Sequence, residues 1–167
     1  MENLAFNPQP HTTLLLTPEG HETLKKELEH LMSSKRPEIA ERIRESQQNG
    51  EFSEDNNELE GAKFEQILVE SRIAELKAIL ANAHILTEDE VSTDHVGIGS
   101  FVKVRDLDRG AEFVVRIVTS FEANPDEDLI SNESPMGLSL WGQSAGAKVT
   151  FEAPVGKIHY EILSIKK

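Results

Sequence analysis

Two long stretches, each with a narrow apolar stripe, most strongly constrain how this chain can fold. In both, apolar residues recur at steps of three and four through a polar background, which is the spacing of one helix face. Only a short segment around Asn49 and Gly50 separates the stripes, so each can be buried by folding back antiparallel on the other. The sequence therefore predicts a coiled-coil hairpin over 14–86. The stripes comprise Leu24, Leu28, Leu31, Ile39 and Ile43, then Leu59, Ala62, Gln66, Val69, Ile73, Leu76, Leu80 and Ala83.

The beginning of the first helix is marked by a capping sequence. Thr17 can cap free amides, Pro18 needs no N–H at the first helical position, and Glu19 favours the positive end of the helix dipole. Pro37 lies inside the first stripe and is expected to interrupt the helix there. Residues 1–13 carry little apolar pattern, and we expect them to form a flexible lead.

From Thr87 the pattern changes from helical to strand-like. An acidic connection over 87–97 precedes a predicted domain over 98–167, in which a short helix begins at Ser134 and Pro135. The fold class is therefore α+β: a helical hairpin followed by a small antiparallel-sheet domain. Strands are predicted at 101–105, 112–118, 148–152 and 157–163, and the residues of the short helix expected to fill the core are Met136, Leu138, Leu140 and Trp141.

The amino-acid composition argues against several classes of function. The net charge of −13 argues against a broad basic face that grips nucleic acid phosphates. The absence of cysteine excludes disulfides, thiolate zinc sites and a thiol nucleophile. The apolar run Leu14–Leu16 is too short for a membrane span. We expect a soluble cytoplasmic protein with no membrane partner.

The predicted turn of the hairpin, residues 50–60, carries five acids and no base. One interpretation is a solvated turn whose acids favour the N-terminus of the returning helix. The other is that carboxylates such as Glu51 and Glu54 are presented as oxygen ligands for Mg²⁺. Two exposed acids cannot retain the ion alone, so this second interpretation requires a partner site that already holds a metal and a phosphate backbone.

Six segments of the chain, taken together in their order and spacing, are distinctive: Leu16–Gly20, Arg36–Ile39, Gly50–Glu54, Ala62–Gln66, Glu70–Ile73 and Leu129–Gly142. In these segments the sequence resembles the bacterial transcript cleavage factor family GreA/GreB. The resemblance implies a coiled coil inserted through the secondary channel of RNA polymerase and a C-terminal domain with an FKBP-like fold docked at the channel entrance.

The resemblance also implies roles for individual residues. Glu51 and Glu54 match the acids that share the second Mg²⁺ with the polymerase, where Glu51 stands in place of the usual aspartate. The spacing from the tip glycine to Ala62-Lys63 is one residue longer than usual. The segment through which the family contacts the polymerase rim matches Glu133, Ser134 and Pro135, and the candidate contacts to the RNA are Arg36, Arg42 and Arg44.

Three functions are compatible with these observations. The leading one is an elongation factor, not an enzyme by itself, that stimulates the polymerase's cleavage of RNA whose 3′ end has backtracked into the channel. A second is a channel-occupying inhibitor, which differs at the altered tip. A third is a prolyl isomerase based on the FKBP-like half. For the arginines of the hairpin, the alternative to RNA contact is pairing with neighbouring Glu side chains.

Overall fold

The computed structural model describes residues 14–49 and 57–167. The predicted flexible lead, Gly50, Glu51 and Glu54 lie outside these residues. The first arm of the hairpin consists of α1 (Pro18–His30), a π-helical turn (Leu31–Lys35) and α2 (Arg36–Asn49), and α3 (Asn57–Asn82) returns beside it. The predicted helix start is confirmed, because Thr17 Oγ1 accepts a hydrogen bond from the Gly20 N–H at 3.1 Å.

The interruption of the first arm falls just before Pro37. There the Arg36 N–H donates to the Leu31 carbonyl, five residues back instead of four. Proline has no N–H for the next turn of the helix, and the turn ahead of it widens in the π form. The arm nevertheless continues without a break from Pro18 to Asn49.

The seam of α3 agrees with the predicted stripe at most positions. Ala62, Ile73 and Leu76 are buried, as predicted. The prediction was wrong at Gln66, which is exposed, and it missed Ile79, which is buried. Near its C-terminus α3 packs against the strand that precedes α1 as well as α1 itself, so its buried face widens there. The cluster at this base comprises Leu16, Leu24, Leu76 and Ile79.

A short parallel strand pair closes the base of the hairpin. β1 (Leu15–Leu16) precedes the first arm, and β2 (His84–Ile85) follows α3. Leu86 N–H donates to the Leu16 carbonyl at 2.8 Å, which extends the pairing. The ends of both arms are thus hydrogen-bonded to one another at the side away from the turn.

The C-terminal half is a five-stranded sheet in the order β5-β4-β3-β7-β6. The strands are β3 (Phe101–Asp106), β4 (Glu112–Val118), β5 (Leu129–Ser131), β6 (Lys148–Ala153) and β7 (Gly156–Lys166). Four of the five predicted elements of this half thus occur as strands close to the predicted bounds, and the fifth is α4 (Pro135–Leu140). The expected purely antiparallel sheet needs one correction. β5 pairs parallel to β4, because residues 119–128 first carry the chain back along β4 to the end where that strand begins.

One contiguous core lies beneath this sheet and α4. Its members in β3 and β4 fall at alternate positions, the period expected where one face of a strand is buried. Tyr160 lies edge-on between Phe113 and Phe151, with ring centroids 5.4 and 5.3 Å away. The core residues are Leu86, Val96, Ile98, Val102, Val104, Val115, Ile117, Leu140, Val149, Tyr160, Ile162 and Ile165.

The hairpin and the sheet meet at the N-terminus of α1. The Thr17 N–H donates to Glu122 Oε2 at 3.0 Å, and Thr17 Oγ1 donates to Glu122 Oε1. A second contact joins Arg116 of β4 to Glu19 in the first turn of α1, at 3.0 Å between Nη1 and Oε2. Both contacts link residues about one hundred positions apart in the chain. We call this set of contacts the joint.

Candidate functional site

The two arms of the hairpin present a long, narrow rod. At about 1.5 Å per residue, the 32-residue first arm is about 48 Å long, and it runs from the joint to Asn49, next to the acidic turn. On the other side of the turn, Glu58 and Glu60 lie exposed in the first turn of α3, where the helix dipole favours negative charge. These two acids fit the interpretation of a solvated turn. The predicted Mg²⁺ ligands, Glu51 and Glu54, lie outside the described residues.

Ion pairs bridge the two arms along their length. Arg36 donates from Nε and Nη2 to the two carboxylate oxygens of Glu70, both at 2.7 Å, and Arg42 donates to Glu65 at 2.5 Å. These hydrogen bonds, which Arg36 donates and Glu70 accepts, lower the pKa of Glu70 and raise the pKa of Arg36. Two of the three candidate RNA contacts are therefore engaged across the hairpin.

Arg44 occupies a different position. Its guanidinium pairs with Glu41 on the same helix, and two thirds of its side chain is exposed. It lies five residues before the end of α2, nearer the acidic turn than the other two arginines. Of the three candidate RNA contacts, Arg44 is thus the one most available to a partner.

The predicted polymerase-binding segment forms the entrance to α4. Ser134 Oγ accepts from the Gly137 N–H at 3.0 Å and donates to the Ser131 carbonyl at 2.7 Å. Glu133 and Pro135 are exposed on either side of it. The Ser134 side chain therefore holds the turn, while its two neighbours present the surface.

The short helix α4 buries fewer side chains than the sequence predicts. Leu140 is fully buried and Met136 packs against the core, but Leu138 and Trp141 are 65% and 44% exposed, so the prediction that they fill the core was wrong. The reason is the close packing of Gly137, where an added Cβ would lie 1.9 Å from the Ser131 carbonyl oxygen. With positions 137 and 140 facing inward, the next positions along the helix face outward.

The outward face of α4 continues into an apolar hollow. Trp141 lines this hollow together with Phe121, Leu14 and Glu133. Phe121 is 40% exposed, so two aromatic rings lie at the surface beside the predicted polymerase-binding segment. An exposed apolar patch with a charged rim is typical of protein–protein contact.

Within residues 14–49 and 57–167, no group of three or more acidic or histidine side chains is arranged to hold a metal ion. In the same part of the chain, no helix combines the length and the apolar character that a membrane crossing requires. The joint residues Glu122 and Arg116 were missed by the sequence analysis. The capping role of Thr17 was readable from the sequence, but its partner Glu122 lies 105 residues away and carries no local signal.

The helical hairpin and the small sheet domain each match a family of transcription elongation factors. A family described as "Transcription elongation factor, N-terminal" matches residues 14–85, and one described as "Transcription elongation factor, GreA/GreB, C-term" matches residues 91–167. The chain belongs to the GreA/GreB family of transcription elongation factors.

Two curated relatives agree with this assignment. The chain is 48% identical over 151 residues to the transcription elongation factor GreA of Chloroflexus aggregans, covering 90% of this chain and 96% of that protein. It is 45% identical over 153 residues to the GreA of Clostridium kluyveri, covering 92% and 96%. Among solved structures, it is 32% identical to the GreA factor homolog 1 (Gfh1) protein of Thermus thermophilus, with a TM-score of 0.44 and coverage of 92% and 99%.

Proposed function

We propose that this protein inserts its hairpin into the secondary channel of bacterial RNA polymerase and stimulates the polymerase's own cleavage of backtracked nascent RNA. The observation that carries the proposal is an acid pair, Glu51 and Glu54, in the sequence that follows the last described residue of an arm about 48 Å long. A rod of this length is not needed to form a globular core, but it is needed to reach a buried active site through a channel. The cytoplasmic location predicted from the sequence belongs to the same proposal.

The two acids would act by sharing a metal ion with the polymerase. Carboxylate oxygens are the ligands that Mg²⁺ prefers, and magnesium sites commonly combine few carboxylates with phosphate oxygens and water. Glu51 and Glu54 would supply such oxygens beside the RNA phosphate, and the ion would supply a water activated for attack on the phosphodiester. The protein alone would bind Mg²⁺ negligibly, since two carboxylates leave most of the coordination to solvent.

The C-terminal domain would dock at the channel entrance. Glu133 and Pro135 are exposed on either side of the Ser134 turn, and the side chains of Leu138 and Trp141 extend this surface. Docking there would leave the hairpin free to extend toward the nascent RNA 3′ end. On the hairpin, Arg44 would contribute a weak electrostatic contact to that RNA, while Arg36 and Arg42 remain engaged with Glu70 and Glu65.

The test is RNA cleavage in a defined backtracked elongation complex. The wild-type chain should shorten the RNA, and the double change Glu51→Ala with Glu54→Ala should slow cleavage by about 10²-fold or more, the scale of a lost metal contribution. The matched control is Glu29→Ala with Glu45→Ala, which removes the same charge from exposed positions of the first arm, outside residues 50–60. It should cleave like the wild type.

Two results would contradict the proposal. Cleavage at wild-type speed by the Glu51→Ala, Glu54→Ala variant would exclude a metal role for these acids. Slowed elongation without shortened transcripts, caused by the wild-type chain itself, would instead identify a channel-occupying inhibitor. The altered tip, with Glu51 in place of aspartate and one additional residue before Ala62, is the sequence feature that makes this second outcome worth measuring.

A further inference from the structure

The joint between the hairpin and the sheet is made by a buried carboxylate. Glu122 is 9% exposed and Thr17 is 2% exposed, and both oxygens of the Glu122 carboxylate accept hydrogen bonds from Thr17. Thr17 is also the N-cap of α1, so it is fixed at the first residue of the arm. The carboxylate therefore contacts the positive end of the helix that carries the acidic turn.

The environment of Glu122 disfavours the charge that it carries there. Burial raises the pKa of this carboxyl, while the hydrogen bonds from Thr17 act in the opposite direction. A buried carboxylate without these partners would be more costly still. The hydrogen bonds from Thr17 thus offset part of the cost of burying the Glu122 carboxylate. Separating the two domains would break these hydrogen bonds.

Gly20 makes the close approach possible. A Cβ at this position would lie 1.7 Å from Glu122 Oε1 and 2.1 Å from Glu122 Cδ. Any larger residue at position 20 would have to displace the carboxylate. The hydrogen bonds between Thr17 and Glu122 therefore require glycine at position 20.

A second contact holds the same turn of α1 from the neighbouring strand. Arg116 is anchored to the sheet by a hydrogen bond from Nε to the Gly99 carbonyl at 3.3 Å and by its position 4.5 Å from the centre of the Phe101 ring. From there it reaches Glu19. Glu122 and Arg116 thus contact residues 17 and 19 from two sides.

Small rotations at the joint become large displacements at the end of the arm. A rotation of about 5° moves a point about 48 Å away by about 4 Å, given a rise of about 1.5 Å per residue. Catalytic geometry is far less tolerant, since a displacement of about 1 Å can slow a reaction by about 10²-fold. We propose that Glu122 is a positioning residue that fixes the direction of the hairpin relative to the C-terminal domain. Its consequence for cleavage rests on the proposed function, whereas its effect on domain orientation does not.

The direct test measures a distance between spin labels in the full chain without polymerase. Because the chain has no cysteine, the changes Gln47→Cys and Lys157→Cys create two unique attachment sites at exposed positions, one on α2 and one at the β6–β7 turn. We expect a single narrow distance distribution for the parent chain. Glu122→Ala should broaden or shift it, whereas Glu122→Gln should preserve it, because the amide can still accept from the Thr17 N–H.

Gly20→Ala tests the same contact through a second variant if Glu122→Ala folds poorly. Alanine raises helix propensity, so α1 should be retained in circular dichroism while the carboxylate is displaced and the distance distribution broadens. The matched control is Glu127→Ala, an exposed acid five residues from Glu122. Unchanged distributions in Glu122→Ala and Gly20→Ala, or equal broadening in Glu127→Ala, would overturn the proposal.

Cleavage assays separate this proposal from the proposed function. Glu122→Ala should lower the maximal cleavage rate at saturating factor by about tenfold or more, with Glu122→Gln restoring it and the half-saturating concentration little changed. If the Glu51→Ala, Glu54→Ala variant cleaves normally, the proposed function fails, and the distance measurement still decides the role of Glu122. If the distances do not respond to Glu122→Ala, the positioning role fails and the acid-pair result stands.

Discussion

The C-terminal sheet domain and the hairpin are stabilised in different ways. The sheet covers one contiguous core of twelve buried residues. In the described part of the hairpin, a four-residue apolar cluster lies at the base, and beyond it Ile39, Ala62 and Ile73 are buried along a narrow seam. Apolar burial is therefore concentrated in the sheet domain and at the base of the hairpin, while the outer hairpin has only a narrow buried seam.

Ion pairs take the place of apolar packing in the outer hairpin. In the Arg36–Glu70 and Arg42–Glu65 pairs each side chain is about two fifths exposed, so solvent screens the charges and each pair contributes little to stability. Regions with few buried contacts open locally at lower free energy than the core. We therefore expect the outer hairpin to exchange its amide hydrogens faster than the sheet domain.

The largest effect on stability is expected in the sheet core. Ile162→Ala removes a fully buried side chain from β7, and should lower the free energy of unfolding of this domain by about 2–5 kcal/mol. Chemical denaturation followed by Tyr160 and Trp141 fluorescence reports the change. A loss below about 1 kcal/mol would show that the core relaxes around the cavity and is not closely packed.

The same isoleucine-to-alanine substitution can be made in the seam of the outer hairpin. Ile39→Ala should cost less, near 2 kcal/mol, because the surroundings of Ile39 are partly exposed and can close over the lost side chain. Hydrogen exchange should accelerate in α2 and the facing part of α3, and remain unchanged in β3 and β7. Faster exchange in the sheet as well would mean that the two halves unfold as one unit.

Removing a bridging charge should have a smaller effect. Arg72 donates to both Glu27 oxygens, at 2.7 and 2.9 Å, and to Glu75, and its side chain is 37% exposed. Arg72→Gln should lower stability by at most about 1 kcal/mol, and by less at high salt. The control is Lys25→Gln at an exposed position of α1. A loss comparable to that of Ile39→Ala would show that ion pairs rather than the seam hold the arms together.

The smallest effect concerns the connection between the two regions. The backbone N–H of Thr87 and the side chain of His84 lower the pKa of Glu90 to about 2 from its usual 4.5. A depressed pKa means that the charged form contributes stability above pH 4.5, and this contribution is lost as the pH falls from 4.5 toward about 2. An NMR titration of the Glu90 carboxyl checks the value. A midpoint near 4.5 would mean that these hydrogen bonds do not form in solution.

Much of the fold could be predicted because its signals are local. The cap at Thr17, the helical stripe through Leu76 and the strand pattern around Val104 each depend on neighbours a few residues away. The two-residue strands β1 and β2 carry no such pattern, and the parallel direction of β5 depends on the path of residues 119–128. These features are set by tertiary packing alone.

The candidate site was predictable to a lesser extent. The pairing of Arg36 and Arg42 with glutamates was expected, but their partners Glu70 and Glu65 lie on the opposite arm, 34 and 23 residues away. The exposure of Trp141 follows from the approach of Gly137 to Ser131, which no apolar count reveals. Family resemblance assigned Glu51 and Glu54, and their role stays a prediction.

If the segment between the two arms delivers carboxylate ligands for a shared ion, as we claim, RNA cleavage in a backtracked elongation complex will depend on Mg²⁺ differently with and without these acids. The wild-type chain should lower the Mg²⁺ concentration needed for half-maximal cleavage by about tenfold or more, equivalent to about 1.4 kcal/mol of ion binding. With the Glu51→Gln, Glu54→Gln variant, the half-maximal Mg²⁺ concentration should equal the value measured when no factor is added. An equal reduction by the wild type and this variant would contradict the claim.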